Sequence, residues 1–218
     1  MKREITKAQE VDIQKKAKSV ARKLHKLYPN EAVFLAHSSP WELLVSVILS
    51  AQATDEQINK VTPKLFKKYP TVESYAKAKL RELEKALYST GFYRAKAKNT
   101  RETARKIVDN FNGEVPQTME ELLTLSGVAR KTANIVLQSA FGVVVGIPVD
   151  THVKRFANKY GFSDETDPVK IEQDLMRFFP KVSWRSLSYQ LVSYGREYCS
   201  ARKHDHEQCP LLKWSIED

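Results

Sequence analysis

Apolar residues recur at helical spacing along most of the chain, and the strict alternation of a half-buried strand is nearly missing. Val11, Ala17, Val20, Ala21, Leu24 and Leu27 form a stripe between Lys15, Lys16, Lys18, Arg22 and Lys23, which predicts an amphipathic first helix ending at Pro29 and Asn30. Ser39 followed by Pro40 is a helix start, with Trp41 opening an apolar run too continuous to face water. Asp55 is placed to cap the next helix, which carries Ile58, Val61, Leu65 and Phe66. Residues 71–78 and 80–87 read as two short helices, and Gly91 breaks the pattern before a longer one over 93–111. Thr118 with Glu121 predicts a capping box ahead of Leu122, Leu123 and Leu125. Val143, Val144 and Val145 lie between Gly142 and Gly146 with Pro148 beyond, a buried connector rather than a strand. Helices resume at Thr151, Asp167 and Ser183, so the expected fold is all-α.

A chain of 218 residues, 42% apolar and 28% charged, can bury one sizeable core or two smaller ones. No stretch approaches the roughly 20 apolar residues of a membrane span. The charged start (Lys2, Arg3, Glu4, Lys7) has no apolar signal-peptide core behind it. The expectation is an intracellular protein without a membrane partner, in the cytoplasm or nucleoid, or in a nucleus. Two cysteines, Cys199 and Cys209, are too few for a disulfide framework. The formal charge of +10 is concentrated: residues 1–30 hold nine Lys or Arg against three Asp or Glu, and residues 60–110 hold fourteen against five. A polyanion suits such faces, because neutralising phosphates releases counterions; solubility alone is the plainer explanation of the same charge.

The run Leu125, Ser126, Gly127, Val128, Ala129, Arg130, Lys131, Thr132 joins two helical segments through a tight turn. Gly127 allows a positive φ, and the amides at the start of the second helix then offer donors to a phosphate, with an amine on Lys131 nearby. An ordinary helical hairpin would show the same glycine. Asp150 stands just before another helix start, where a carboxylate is equally explained as an N-cap.

Taken with other blocks, these residues resemble the endonuclease III family of DNA glycosylases in the helix-hairpin-helix superfamily. The blocks are Leu49, Ser50, Ala51, Gln52, Ala53, Thr54, Asp55; Gly113, Glu114, Val115, Pro116; Lys131, Thr132, Ala133, Asn134; and Val149, Asp150, Thr151, His152. The resemblance implies a two-lobed fold: a six-helix barrel over residues 33–142 containing the hairpin, and a second lobe from 1–32 and 143–218. It implies a monomer acting on double-stranded DNA that carries damaged bases or abasic sites. DNA would lie between the lobes, with the hairpin in one wall and Asp150 in the other. The implied activity is base excision of oxidised pyrimidines, followed by cleavage 3′ of the abasic site. Lys131 would be the Schiff-base nucleophile and Asp150 the carboxylate that accepts its proton or offsets charge on the sugar. A lysine at this position argues against the adenine-removing members. Gln52 would fill the gap left by a flipped nucleotide, and Phe92, where the family usually has leucine, would wedge beside the orphaned base. Gly127, Val128, Ala129, Arg130 and Thr132 would hold the backbone phosphate. A non-catalytic DNA-binding module and a glycosylase of different base specificity are the alternatives.

Two departures stand out. Ala129 occupies the place of the hairpin's usual second glycine, where a methyl group narrows the approach of a phosphate and weaker DNA binding follows. At the carboxyl end the family's four cluster cysteines, with six, two and five residues between them, correspond to Cys199, His206, Cys209 and Ser215. An alcohol is a poor ligand for an iron–sulfur cluster, so no cluster and no cofactor is expected. Leu211, Leu212, Trp214 and Ile216 would then supply burial in place of a metal. Zinc on Cys199, Cys209 and one or both of His204 and His206 is the alternative that the residue types allow, although their spacing matches no usual finger.

Overall fold

The computed structural model describes residues 5–30, 32–202 and 205–215, and among these every regular element is helical. Lys2, Arg3, Glu4, His204 and Ile216 lie outside the described residues. The chain divides into two compact units, one of Val33–Val143 and one of Met1–Ala32 with Val144–Asp218.

In the first of these units α2 (Pro40–Leu49) is the core. It is capped by the Ser39 hydroxyl, which accepts from the Glu42 amide at 3.2 Å, and it is buried at Trp41 and from Leu43 to Leu49. A helix apolar on every side must be covered on every side. The cover comes from α3 (Asp55–Lys68), α6 (Tyr93–Phe111) and α8 (Arg130–Ala140), with α4 (Val72–Lys77), α5 (Leu80–Leu87) and α7 (Met119–Leu123) completing the unit. Trp41 meets Tyr75 edge to face, ring centroids 5.2 Å apart. Each fully buried leucine of α2, such as Leu43, Leu44 and Leu49, contributes about 2 kcal/mol of burial.

Local signals were imperfect guides at two caps. Thr54, not Asp55, caps α3: its extended backbone lets the hydroxyl accept from the Gln57 amide at 3.2 Å, and Asp55 becomes the first helical residue, where a carboxylate suits the positive helix end. At Thr118 the hydroxyl accepts from the Glu121 amide, but it also donates to the Glu121 carboxylate at 2.7 Å. That side-chain contact takes the place of the reciprocal half of a capping box.

The other unit packs α1 (Lys7–Leu27), α9 (Thr151–Lys159), α10 (Pro168–Phe178) and α11 (Trp184–Glu197) around Phe156, Tyr160, Phe162 and Tyr194. Phe156 stacks on Tyr160 at 4.4 Å, and the Tyr160 and Tyr194 hydroxyls share a 3.0 Å hydrogen bond that satisfies both in the core. Ala17, Val20, Ala21 and Leu24 are the buried stripe of α1, whereas Val11 is half exposed at 48%. Arg177 of α10 grips Glu10 of α1 through Nε and Nη2, at 2.7 and 2.6 Å. In the carboxyl-terminal tail Leu211 is fully buried and Cys199 and Cys209 join it in the core, while Leu212 is 37% exposed and Trp214 is partly buried.

Candidate functional site

The hairpin is bolted to α6. Gly127 adopts φ +76°, and a Cβ there would lie 2.8 Å from Asn99 Nδ2 and 3.0 Å from Asn99 Cβ. Glycine is therefore required twice, for its dihedral and for its lack of bulk. The Thr103 hydroxyl donates to the Ser126 carbonyl at 2.7 Å, Lys106 Nζ donates to the Thr124 carbonyl at 2.9 Å, and the Ser126 hydroxyl reaches Glu102 at 3.3 Å. These bonds use the carbonyls of the turn and leave its amides.

The first amide bond of α8 runs from Ala133 N–H to the Ala129 carbonyl at 3.0 Å. Ala129 caps the helix in extended conformation without a side-chain acceptor. The backbone amides of Gly127, Ala129, Lys131 and Thr132 accordingly make no hydrogen bond among the described residues. Such a group of donors at the start of an eleven-residue helix is an anion site by geometry and by dipole. Val128 differs from its neighbours, since its side chain is buried and its amide is bonded to the Leu125 carbonyl at 3.2 Å. Its part is packing. Arg130 and Thr132 are partly exposed on the first turn of α8.

Lys131 is exposed, and its ammonium has neither ion pair nor hydrogen bond among the described residues. Lys131 stands on the first turn of α8, ahead of the stretch from Ala133 to Gln138 that is buried on every side. An amine that no carboxylate engages is available to a ligand.

Gln52 and Phe92 share an unusual backbone. Both are exposed non-glycine residues in the left-handed region, with φ of 53° and 46°. This conformation costs a residue with a side chain roughly 1 kcal/mol, and it concentrates at functional turns. Phe92 is 65% exposed. The two turns are linked: Gln57 Nε2, near the start of α3, donates to the Ser89 carbonyl at 3.1 Å, five residues past Gln52 and three before Phe92. Two exposed tips therefore stand on neighbouring parts of one compact unit.

The residues that hold these tips escape a sequence reading. Lys96, only 3% exposed, donates its ammonium to the Thr90 carbonyl at 2.7 Å and braces the turn through Gly91 and Phe92. Burial pushes its pKa below the ordinary lysine value. Its one signal is periodicity, since Lys96, Thr100, Thr103, Ala104 and Ile107 fall on a single face of α6.

Asp150 belongs to the other unit. It is partly buried at the N-cap of α9, where Oδ1 accepts from the Val153 amide at 2.9 Å, the carboxylate's one hydrogen bond among the described residues. The cap fixes the carboxylate's orientation and leaves the second oxygen for another partner. Capping and proton transfer are thus compatible roles.

The carboxyl-terminal group does not suit an iron–sulfur cluster. The ligand atoms of Cys199, His206 and Cys209 all lie within 4.8 Å of one another. A cubane cluster places each protein ligand on a different iron, so its ligands stand further apart than those of a single ion. Two thiols, an imidazole and the Ser215 hydroxyl also lack the soft donor set, and the residues present do not fit the cluster.

Residues 45–181 match the family model described as HhH-GPD superfamily base excision DNA repair protein. The endonuclease III of Synechocystis sp. is 52% identical over 188 residues, 86% of each chain. A solved non-covalent endonuclease III–DNA complex superposes with TM-score 0.88 at 40% identity, covering 94% of this chain and 95% of the other. A trapped endonuclease III–DNA covalent intermediate gives the same TM-score and identity, over 94% of this chain and 96% of that one.

Proposed function

This chain belongs to the endonuclease III family of the HhH-GPD superfamily of base excision DNA repair proteins, and we propose that it is a bifunctional DNA glycosylase and abasic-site lyase acting on oxidised pyrimidines in duplex DNA. The observation that carries the catalytic part is an exposed, unengaged Lys131 amine on the first turn of α8, the turn that presents the open amides. The amides hold a backbone phosphate, which sets the sugar beside the amine.

The reaction follows from these groups. The neutral Lys131 amine attacks C1′ as the damaged base leaves with the glycosidic electron pair and picks up a proton. Asp150 takes the proton the amine sheds, or faces the positive charge that develops on the sugar; both tasks require an ionised carboxylate. Opening of the sugar ring turns the C1′–N bond into a protonated imine, with O4′ becoming a hydroxyl. The imine makes the C2′ proton acidic, its removal expels the 3′ phosphate, and water then releases the unsaturated sugar and restores Lys131. Gln52 and Phe92 occupy the space of the extruded nucleotide. An amide can replace base-pair hydrogen bonds, and an aromatic ring stacks on the orphaned base. The protein works as a monomer inside the cell, where its DNA is; no helix among the described residues is long and apolar enough to cross a membrane.

Borohydride reduces the imine to a stable amine and so tests the assignment directly. Wild-type protein mixed with duplexes carrying thymine glycol or an abasic site should be captured as a covalent adduct, and Lys131→Ala should not. An adduct of undiminished yield with Lys131→Ala refutes the nucleophile. A wild type that binds the duplex but is never captured reduces the protein to a DNA-binding module.

A further inference from the structure

We propose that Cys199, His206 and Cys209 bind one zinc ion in the place where the family carries its cluster. Two ligands of a single tetrahedral zinc stand about 3.8 Å apart if both are sulfur and about 3.6 Å apart if one is nitrogen, given ordinary zinc–sulfur and zinc–nitrogen bonds. Cys209 Sγ lies 3.7 Å from His206 Nδ1, and all three ligand atoms fall within 4.8 Å of one another. Both thiols are 5% exposed, next to the aromatic core of their unit. Two thiolates and a neutral imidazole cancel the charge of a zinc dication, so a buried site of this composition is neutral. Each thiol gives its proton to solvent on binding, and a water takes the fourth position.

The site has an internal competitor. Lys159 Nζ lies 3.0 Å from His206 Nδ1 and 2.9 Å from Nε2. The lone pair that receives a lysine proton is the one a metal needs. Lys159 stands on the wall of a groove of about 690 Å³, also lined by Lys154, Asn158, Ser200 and Arg202, and its long stem can swing there when the ion enters. The metal would tie Cys199, just past α11, to His206 and Cys209 further along the tail, without redox chemistry.

The test uses the full chain without an affinity tag, purified under reducing conditions from zinc-supplemented cells. Elemental analysis should find one zinc per chain and no iron. After metal removal, cobalt titration should produce thiolate-to-cobalt charge-transfer absorption that zinc abolishes, and chelation should lower the melting temperature by roughly 5 °C. His206→Gln and Cys209→Ser should weaken cobalt binding on the order of 100-fold, while Lys159→Met, which removes the competing ammonium, should tighten it. The cobalt spectrum of the unmutated protein decides the matter even if a variant fails to fold. Iron in place of zinc, absence of the charge-transfer band at millimolar cobalt, or weaker binding by Lys159→Met overturns the proposal.

Discussion

Replacing Gly127 by alanine isolates what the hairpin demands of the chain. The left-handed dihedral costs alanine about 1 kcal/mol. The added Cβ would sit 3.0 Å from Asn99 Cβ, 3.1 Å from Asn99 Cγ and 2.8 Å from Asn99 Nδ2. The Nδ2 contact is relieved by a side-chain rotation. The Cβ contact is fixed to the α6 backbone, and forcing it apart costs roughly 1–2 kcal/mol more. Gly142 provides the control, because it has φ +70° with nothing within 4 Å of an added Cβ. Gly142→Ala carries the dihedral cost alone, and the gain from stiffening the unfolded chain is common to both substitutions. In urea denaturation Gly127→Ala should therefore lose about 2–3 kcal/mol against about 1 for Gly142→Ala. Adding Asn99→Ala to Gly127→Ala should recover about half of the difference, since it removes Nδ2 and Cγ but leaves Cβ. Equal losses at Gly127 and Gly142 would refute the packing of the turn on α6. Fluorescence anisotropy with a damaged duplex should show weakened binding for Gly127→Ala and unchanged binding for Gly142→Ala.

Four further outcomes follow from the site. Asp150→Asn keeps a side-chain oxygen that caps as well as aspartate, so melting should stay within about 0.5 kcal/mol of wild type while base excision, read by gel, slows strongly; undiminished excision leaves Asp150 a cap and nothing more. Lys131→Ala should bind abasic duplex within about 3-fold of wild type, because one charge is a small part of the electrostatic contact; loss of binding would mean Lys131 anchors DNA instead of attacking it. Phe92→Ala removes a side chain that is 65% exposed, and so should alter stability by less than about 0.5 kcal/mol while reducing excision from duplex more than from single strands. Burial lowers the Lys96 pKa from the ordinary value of 10.5, so above the folded value the unfolded chain holds more protons and wild-type stability rises with pH up to the ordinary one. Lys96→Met should flatten that rise in alkaline urea titrations, and an unchanged slope would show that the group is not desolvated.

Much of this molecule is local, and local order is legible in a sequence. The stripe of α1, the Ser39–Pro40 start of α2 and the breaks at Gly91 and Gly142 all depend on residues within one or two turns of each other. The glycine turn before Lys131 and the helix start after Asp150 are short-range features of the same kind, although an ordinary hairpin and an N-cap explain them equally and the candidate roles rest on the family resemblance. What tertiary structure alone decided is burial and long-range contact. Lys96 reads as one more surface cation, yet packing of α6 on the core buries it with its ammonium on the Thr90 carbonyl. Val128 reads as part of a phosphate loop but is held in the core with its amide bonded. The need for glycine at position 127 is only half local, since the dihedral belongs to the turn and the steric limit to Asn99, twenty-eight residues earlier in the chain. Cys199, His206 and Cys209 match no finger spacing, and only folding brings their ligand atoms within 4.8 Å. Short-range preferences act on the few dihedrals around each residue, whereas burial and ligand geometry are set by which distant surfaces exclude water together.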